Sequence, residues 1–170
     1  MRKGLFSTDF LIAITIFIVI LLLLSPMWDS LNRQVFGREV TRSMQTAAIG
    51  AGDILLRTRG SPETWNTTNV KSIGLAENLR MLNITKCKYF FQLLSSNYSD
   101  VKFMLGAGAY QLAAEITNKT GEMITYGGVN FTYSTITDNM TEAANSQRIA
   151  ILKYNETYSE FVNLRIVVWR

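Results

Sequence analysis

From Phe10 to Leu24 the chain reads FLIAITIFIVILLLL, fifteen residues in which Thr15 is the only polar side chain. Arg2 and Lys3 stand shortly before this run, then Gly4, Leu5, Phe6, Ser7, Thr8 and Asp9. Three readings compete. A secretory signal has a basic start, an apolar run and a small-x-small cleavage site. Here the run is followed by Ser-Pro-Met-Trp-Asp-Ser, which offers no such site. An uncleaved anchor needs about 20 apolar residues, and Leu5 to Leu24 reaches that length only with Ser7, Thr8 and Asp9 counted in. A leader cut on the cytoplasmic side, before the apolar run, accounts for the short basic start, the glycine and the acid together.

Arg2-Lys3-Gly4 followed by Leu5-Phe6-Ser7-Thr8-Asp9-Phe10-Leu11-Ile12 resembles the class III signal peptide of archaeal type IV pilin-like proteins. The resemblance implies an archaeal host and a prepilin peptidase that cuts between Gly4 and Leu5. It places Asp9 at the family's acidic position, and it implies an assembly ATPase with its membrane platform and other pilin subunits as partners. Leu5 stands where many methanogen members carry Gln, and Asp9 where Glu is commoner. The segments Gly60 to Ala76 and Val162 to Trp169 look like recurrent stretches of methanogen proteins with this leader, and carry no chemistry of their own.

Asp9 also has a physical reading. An acid inside a bilayer costs up to about 2.5–3.5 kcal/mol at the centre, less near the edge, and usually marks function. After a cut at Gly4, the new ammonium of Leu5 lies about one helical turn from Asp9. The carboxylate then faces the positive end of its own helix, or pairs with the amine of a neighbouring subunit and sets the register of packed helices. The plainer reading is that Asp9 marks the water boundary of an anchor.

Arg2 and Lys3 place the N terminus in the cytoplasm, and the remainder outside. Arg33, Arg38 and Arg42 oppose this weakly. Removing the leader leaves fifteen basic against thirteen acidic side chains, without a basic run; this is no nucleic-acid footprint. Seven Asn-x-Ser/Thr sequons occur, at Asn66, Asn83, Asn97, Asn118, Asn130, Asn139 and Asn155. With twelve Asn in the chain, chance gives about two. The excess points to a glycosylated, surface-exposed domain, against the alternative of a polar, Thr-rich surface left unmodified.

Pro26 follows the apolar run and marks a helix kink, or a break between anchor and ectodomain. From Met27 to Arg57 the pattern is helical, with one stripe at Trp28, Leu31 and Val35 and another at Val40, Met44, Ala47, Ala51, Ile54 and Leu55. Small residues from Ala47 to Gly52 suit close packing. Gly60, Ser61 and Pro62 end the helix. Residues 63–84 read as irregular, anchored by Trp65, Val70, Ile73 and Leu75. One or two short helices follow over 85–105, with Ser99 as a cap. The aromatic group around Phe90 and Phe91 reads as core. Gly106 and Gly108 then switch the period to two. Strands are expected over 110–117, 123–126, 129–133, 148–154 and 161–169, with a turn at Gly127-Gly128 and a loop over 135–146. The strong alternation at the end of the chain makes the last strand central or well paired.

The chain has no His, so the commonest acid–base group and metal ligand is missing. Cys87 is alone and forms no internal disulfide; it reads as a small buried hydrophobe. Gly106-Ala-Gly108 lies before a strand, not between strand and helix, so it is no phosphate loop. Asp100, Asp138, Glu142 and Glu160 are scattered. No enzyme, metal or cofactor is expected.

The expected fold class is α+β, a type IV pilin-like lollipop with a long N-terminal helix on a small antiparallel sheet of about four strands. The expected organisation is a cleaved leader at 1–4, a transmembrane or filament-core helix at 5–26, its amphipathic continuation at 27–58 and an extracellular head at 59–170. The expected function is a structural pilin or minor pilin of a surface filament, with adhesion as a further service. Two alternatives stay open: an anchored extracellular binding module that never assembles, and a pseudopilin of an export or uptake machine.

Overall fold

The computed structural model describes residues 8–134 and 142–170, with the side chains of residues 33, 34 and 36 left out. Gly4, Leu5 and Asn139 lie outside the described residues. The chain divides into two compact units, Met1–Val40 and Thr41–Arg170, within its first helix.

Helix α1 spans Thr8–Arg57. It runs through Pro26 without interruption. Proline has no N–H, so the ladder loses the bond to the Leu22 carbonyl there. In the second unit one stripe of α1 is fully buried: Met44, Ala48, Ala51 and Leu55 are each 0% exposed. The spacing of four, three and four residues is the period of one helix face. Ala48, rather than Ala47, sits at the centre of that face, and Ala47 and Ile54 are only half-buried. The expected stripe at Trp28, Leu31 and Val35 is exposed. Helix α1 ends where the Thr58 N–H and hydroxyl both return to the Ile54 carbonyl, at 3.1 and 2.8 Å. Gly60 then takes φ 76°, a conformation that glycine adopts at no steric cost.

The head continues with β1 (Ala76–Asn78) and β2 (Met81–Asn83), then α2 (Ile84–Ser96) and α3 (Tyr98–Met104). Asn83 caps α2, its Oδ1 accepting from the N–H groups of Thr85 and Lys86, a preferred N-cap arrangement. Helix α3 starts at Tyr98, so Ser99 lies inside it and caps nothing. Next come β3 (Gln111–Thr117), β4 (Thr125–Tyr126), β5 (Val129–Asn130), β6 (Thr132–Tyr133), β7 (Ala143–Lys153) and β8 (Ser159–Trp169). Gly127 and Gly128, at φ 56° and 76°, make the turn between β4 and β5.

Six strands form one sheet in the order β1-β2-β7-β8-β3-β6. The sheet is mixed, because β2 pairs parallel to β7 while β1–β2, β7–β8, β8–β3 and β3–β6 are antiparallel. The expected antiparallel sheet of about four strands is corrected on both counts. Strand β8 is central, paired over its whole length with β7, from Lys153↔Ser159 to Ala143↔Trp169. Residues 76–83, expected to be irregular, supply two short strands, and β7 begins five residues before Arg148.

One sheet face builds the core. Val162, Leu164, Ile166 and Val168 of β8 alternate into it, beside Leu112, Ala114 and Ile116 of β3 and Ala144, Ser146, Ala150 and Leu152 of β7. The end of α1 lies over β7, where the ideal Cβ position at Gly52 is 3.4 Å from the Ser146 hydroxyl. Helix α2 packs against β2, β5 and β6. Its Phe91 stacks on Phe131 at 5.3 Å and meets Phe90 edge-on at 5.1 Å. All three rings are at most 1% exposed, and each contributes about 1.5–3 kcal/mol by leaving water.

Candidate functional site

The uncovered apolar half of α1 is the first candidate. Every large apolar side chain from Phe10 to Leu24 is exposed, up to 68% at Leu22 and 69% at Leu23. Helix α1 is long and apolar enough to cross a membrane. Asp9 and Asp29 bracket the stretch, and the nineteen residues between them carry no charge. At 1.5 Å per residue they span about 28 Å, close to the roughly 30 Å of a hydrocarbon core. Trp28 stands at the distal edge, where amphipathic rings favour a headgroup layer. Thr15 returns its hydroxyl to the Leu11 carbonyl at 2.8 Å, so the one polar side chain of the run makes no demand on its surroundings. Asp9 occupies the first turn of α1, where the helix's positive end favours a carboxylate.

The six sequons among the described residues form a second group, all on the head. Asn66 and Asn155 share one geometry. The Asn66 Oδ1 accepts from the Thr68 N–H (2.9 Å), the Thr68 hydroxyl (2.7 Å) and the Asn69 N–H (3.2 Å). The Asn155 Oδ1 accepts from the Thr157 N–H (2.9 Å), the Thr157 hydroxyl (2.9 Å) and the Tyr158 N–H (2.7 Å). Asn118 closes a similar turn on Thr120 and Glu122, but its Nδ2 donates to the Glu122 carboxylate at 2.8 Å. The Asn97 Nδ2 donates to Asp100 at 2.6 Å, and that of Asn83 to Glu77 at 3.4 Å. Asn130 sits in β5 and accepts from the Thr125 hydroxyl at 2.8 Å.

Other titratable and exposed groups of the head have these settings. Cys87 is 0% exposed inside α2, and burial pushes its thiol well above the ordinary range. A buried thiol of this kind is a poor nucleophile. Lys153 bridges Glu77 of β1 at 2.8 Å and Glu156 at 3.1 Å. Its hydrogen bond holds the Glu77 carboxyl below its usual value, with desolvation opposing. The Tyr154 hydroxyl donates to Glu160; burial first, and then that bond, raise its pKa. On the outer sheet face Ile149 and Phe161 are exposed, 67% and 50%, with the Lys119 ammonium 4.8 Å from the Phe161 ring. Among the described residues, no three His, Cys, Asp or Glu side chains gather as a metal would need.

Sequence reasoning missed the Lys153–Glu77 pair, whose members are 76 residues apart, and the buried hydroxyl of Ser146. It found the sequons but not which asparagines have their amide nitrogen already engaged. The Asn-x-Thr spacing itself was the available signal, because a threonine two residues on is what closes the turn at Asn66 and Asn155. No protein-family model, curated protein or solved structure matches the chain.

Proposed function

We propose that this chain is a pilin-like subunit of a cell-surface filament. A prepilin peptidase removes residues 1–4, and α1 passes from the membrane into a helical filament core. The head is displayed outside. The role is structural, without catalysis or a cofactor. Partners are the peptidase, other pilin subunits, and the assembly ATPase with its platform. The observation that carries this reading is the change of character along one uninterrupted helix. The apolar residues from Phe10 to Leu24 are exposed, yet Met44, Ala48, Ala51 and Leu55 of the same helix are sealed in the head's core. A helix apolar on all sides calls for lipid or for other apolar helices. The leader resemblance and the place of Asp9 in the first turn supply the rest.

Asp9→Asn tests it. The substitution keeps size and removes charge, so on this reading it leaves membrane insertion and leader removal intact. It abolishes recovery of the protein in filaments sheared from cells, because the carboxylate no longer pairs with a neighbouring amine. Filaments of wild-type yield from Asp9→Asn cells contradict the assembly role of Asp9. Absence of filaments from wild-type cells contradicts the proposal itself.

A further inference from the structure

We infer that the folded head presents Asn66 and Asn155 as N-glycan acceptors and withholds Asn83, Asn97, Asn118 and Asn130; this rests on the extracellular placement of the head proposed above. A backbone N–H can only donate, so an asparagine side-chain atom that receives two of them is the oxygen. At Asn66 two backbone N–H groups and a hydroxyl converge on Oδ1, and the same holds at Asn155. The opposite atom, Nδ2, has no hydrogen-bond partner among the described residues at either position. Both asparagines lie on loops, Asn155 in the exposed hairpin between β7 and β8 and Asn66 half-buried with Thr67 and Thr68 exposed beyond it. A sugar on either Nδ2 breaks no bond of the fold.

The other four described sequons differ. The Nδ2 groups of Asn83, Asn97 and Asn118 are each held by a carboxylate, of Glu77, Asp100 and Glu122. Asn83 is also the cap of α2. The middle residue of the Asn130 sequon is Phe131, 0% exposed, and its N–H and carbonyl bond to Ile124 and Ile116. That tripeptide is locked between two strands.

The transfer itself is balanced by a saccharide carried on a polyprenyl phosphate or diphosphate. The Nδ2–C1 bond forms, and the bond from C1 to the phosphate oxygen breaks with its electron pair leaving on the phosphate. One amide proton passes to base.

The test is glycopeptide mapping of the full chain taken from its native membranes, together with labelling of intact cells by a membrane-impermeant amine reagent. The expected result is saccharide on Asn66 and Asn155 in most copies, and none on the other four. Thr68→Val and Thr157→Val then each remove one glycan mass, whereas Thr68→Ser keeps it. Glu122→Ala frees the Asn118 amide while its turn stays closed through Thr120, so Asn118 gains occupancy comparable to Asn66. Equal or greater occupancy at Asn83, Asn97, Asn118 or Asn130 in the wild-type chain overturns the inference. So does an unmodified chain whose head is labelled on intact cells, and that result leaves the surface reading standing. An unlabelled head overturns both.

Discussion

Gly74 is the most closely packed glycine of the head, and replacing it with alanine tests whether the end of α1 is built into the core. A Cβ at Gly74 would lie 2.2 Å from the Thr58 hydroxyl, 2.3 Å from the Thr58 carbonyl oxygen and 2.5 Å from the Gly60 nitrogen. The hydroxyl cannot swing away freely, because it bonds the Ile54 and Ile73 carbonyls at 2.8 and 3.2 Å. The other two atoms are backbone. Ordinary contact therefore requires the two segments to part by roughly 1 Å, which a packed interior resists. The displaced segment carries the Leu75 N–H bond to Leu55, the Ala76 N–H bond to Thr58 and the Trp65 indole bond to the Gly74 carbonyl, at 3.0, 3.0 and 2.9 Å. Overpacking costs about 1–3 kcal/mol, and weakening these bonds adds about 1 kcal/mol for each one lost. A destabilisation of about 3–5 kcal/mol follows, a large share of the roughly 5–15 kcal/mol that holds a domain together. Gly50→Ala is the control. It lies within α1 with nothing within 4 Å of its Cβ position, and it is expected to stabilise by up to about 1 kcal/mol through helix propensity. The assay is urea unfolding of the detergent-solubilised full chain, followed by fluorescence; Trp65, 1% exposed, reports directly on the affected region. A Gly74→Ala variant within about 1 kcal/mol of wild type refutes the claim that α1 and the following segment form one rigid core.

Two further outcomes follow from the head. The Ser146 hydroxyl is buried, with no partner among the described residues, so Ser146→Ala is expected to raise stability by about 1 kcal/mol; a loss of stability in the same urea assay contradicts that accounting. The hydrogen bond from Lys153 holds the Glu77 carboxyl below its usual value, so its contribution is present at neutral pH and is lost as pH falls through the lowered value. Thermal melts from about pH 6 to pH 3 should show a smaller acid-side loss for Glu77→Gln than for wild type, and identical slopes contradict the pairing.

The sequence disclosed some of this architecture and concealed other parts for identifiable reasons. Strand β8 was legible because its buried residues, Val162, Leu164, Ile166 and Val168, are large and strictly alternating. The first half of β7 was not. Its inward residues there are the small Ala144 and Ser146, the latter close to Gly52 of α1, and its outward residues, Ala143, Asn145 and Gln147, are small or polar. Period-two patterning with no large apolar member reads as a loop. Strands β1 and β2 have three residues each, too few to display a period. The parallel partner of β2 is seventy residues away in the chain, a pairing that composition does not encode. Helix α2 was visible through Cys87, Phe90, Phe91 and Leu94, but the N-cap of α3 was misassigned to Ser99. Two asparagines, Asn83 and Asn97, sit at the helix starts instead. The sequons were visible as tripeptides, whereas the carboxylates that engage three of them come from Glu77, Asp100 and Glu122 through folding.

The measurement that bears most directly on the central claim is the mass of the N-terminal peptide of the native protein extracted from its membranes. A peptide beginning at Leu5 is the expected result, which leaves a free ammonium four residues before Asp9. A peptide beginning at Met1 contradicts the pilin-like reading and leaves an anchored surface protein. A start beyond Leu24 contradicts both anchor and filament.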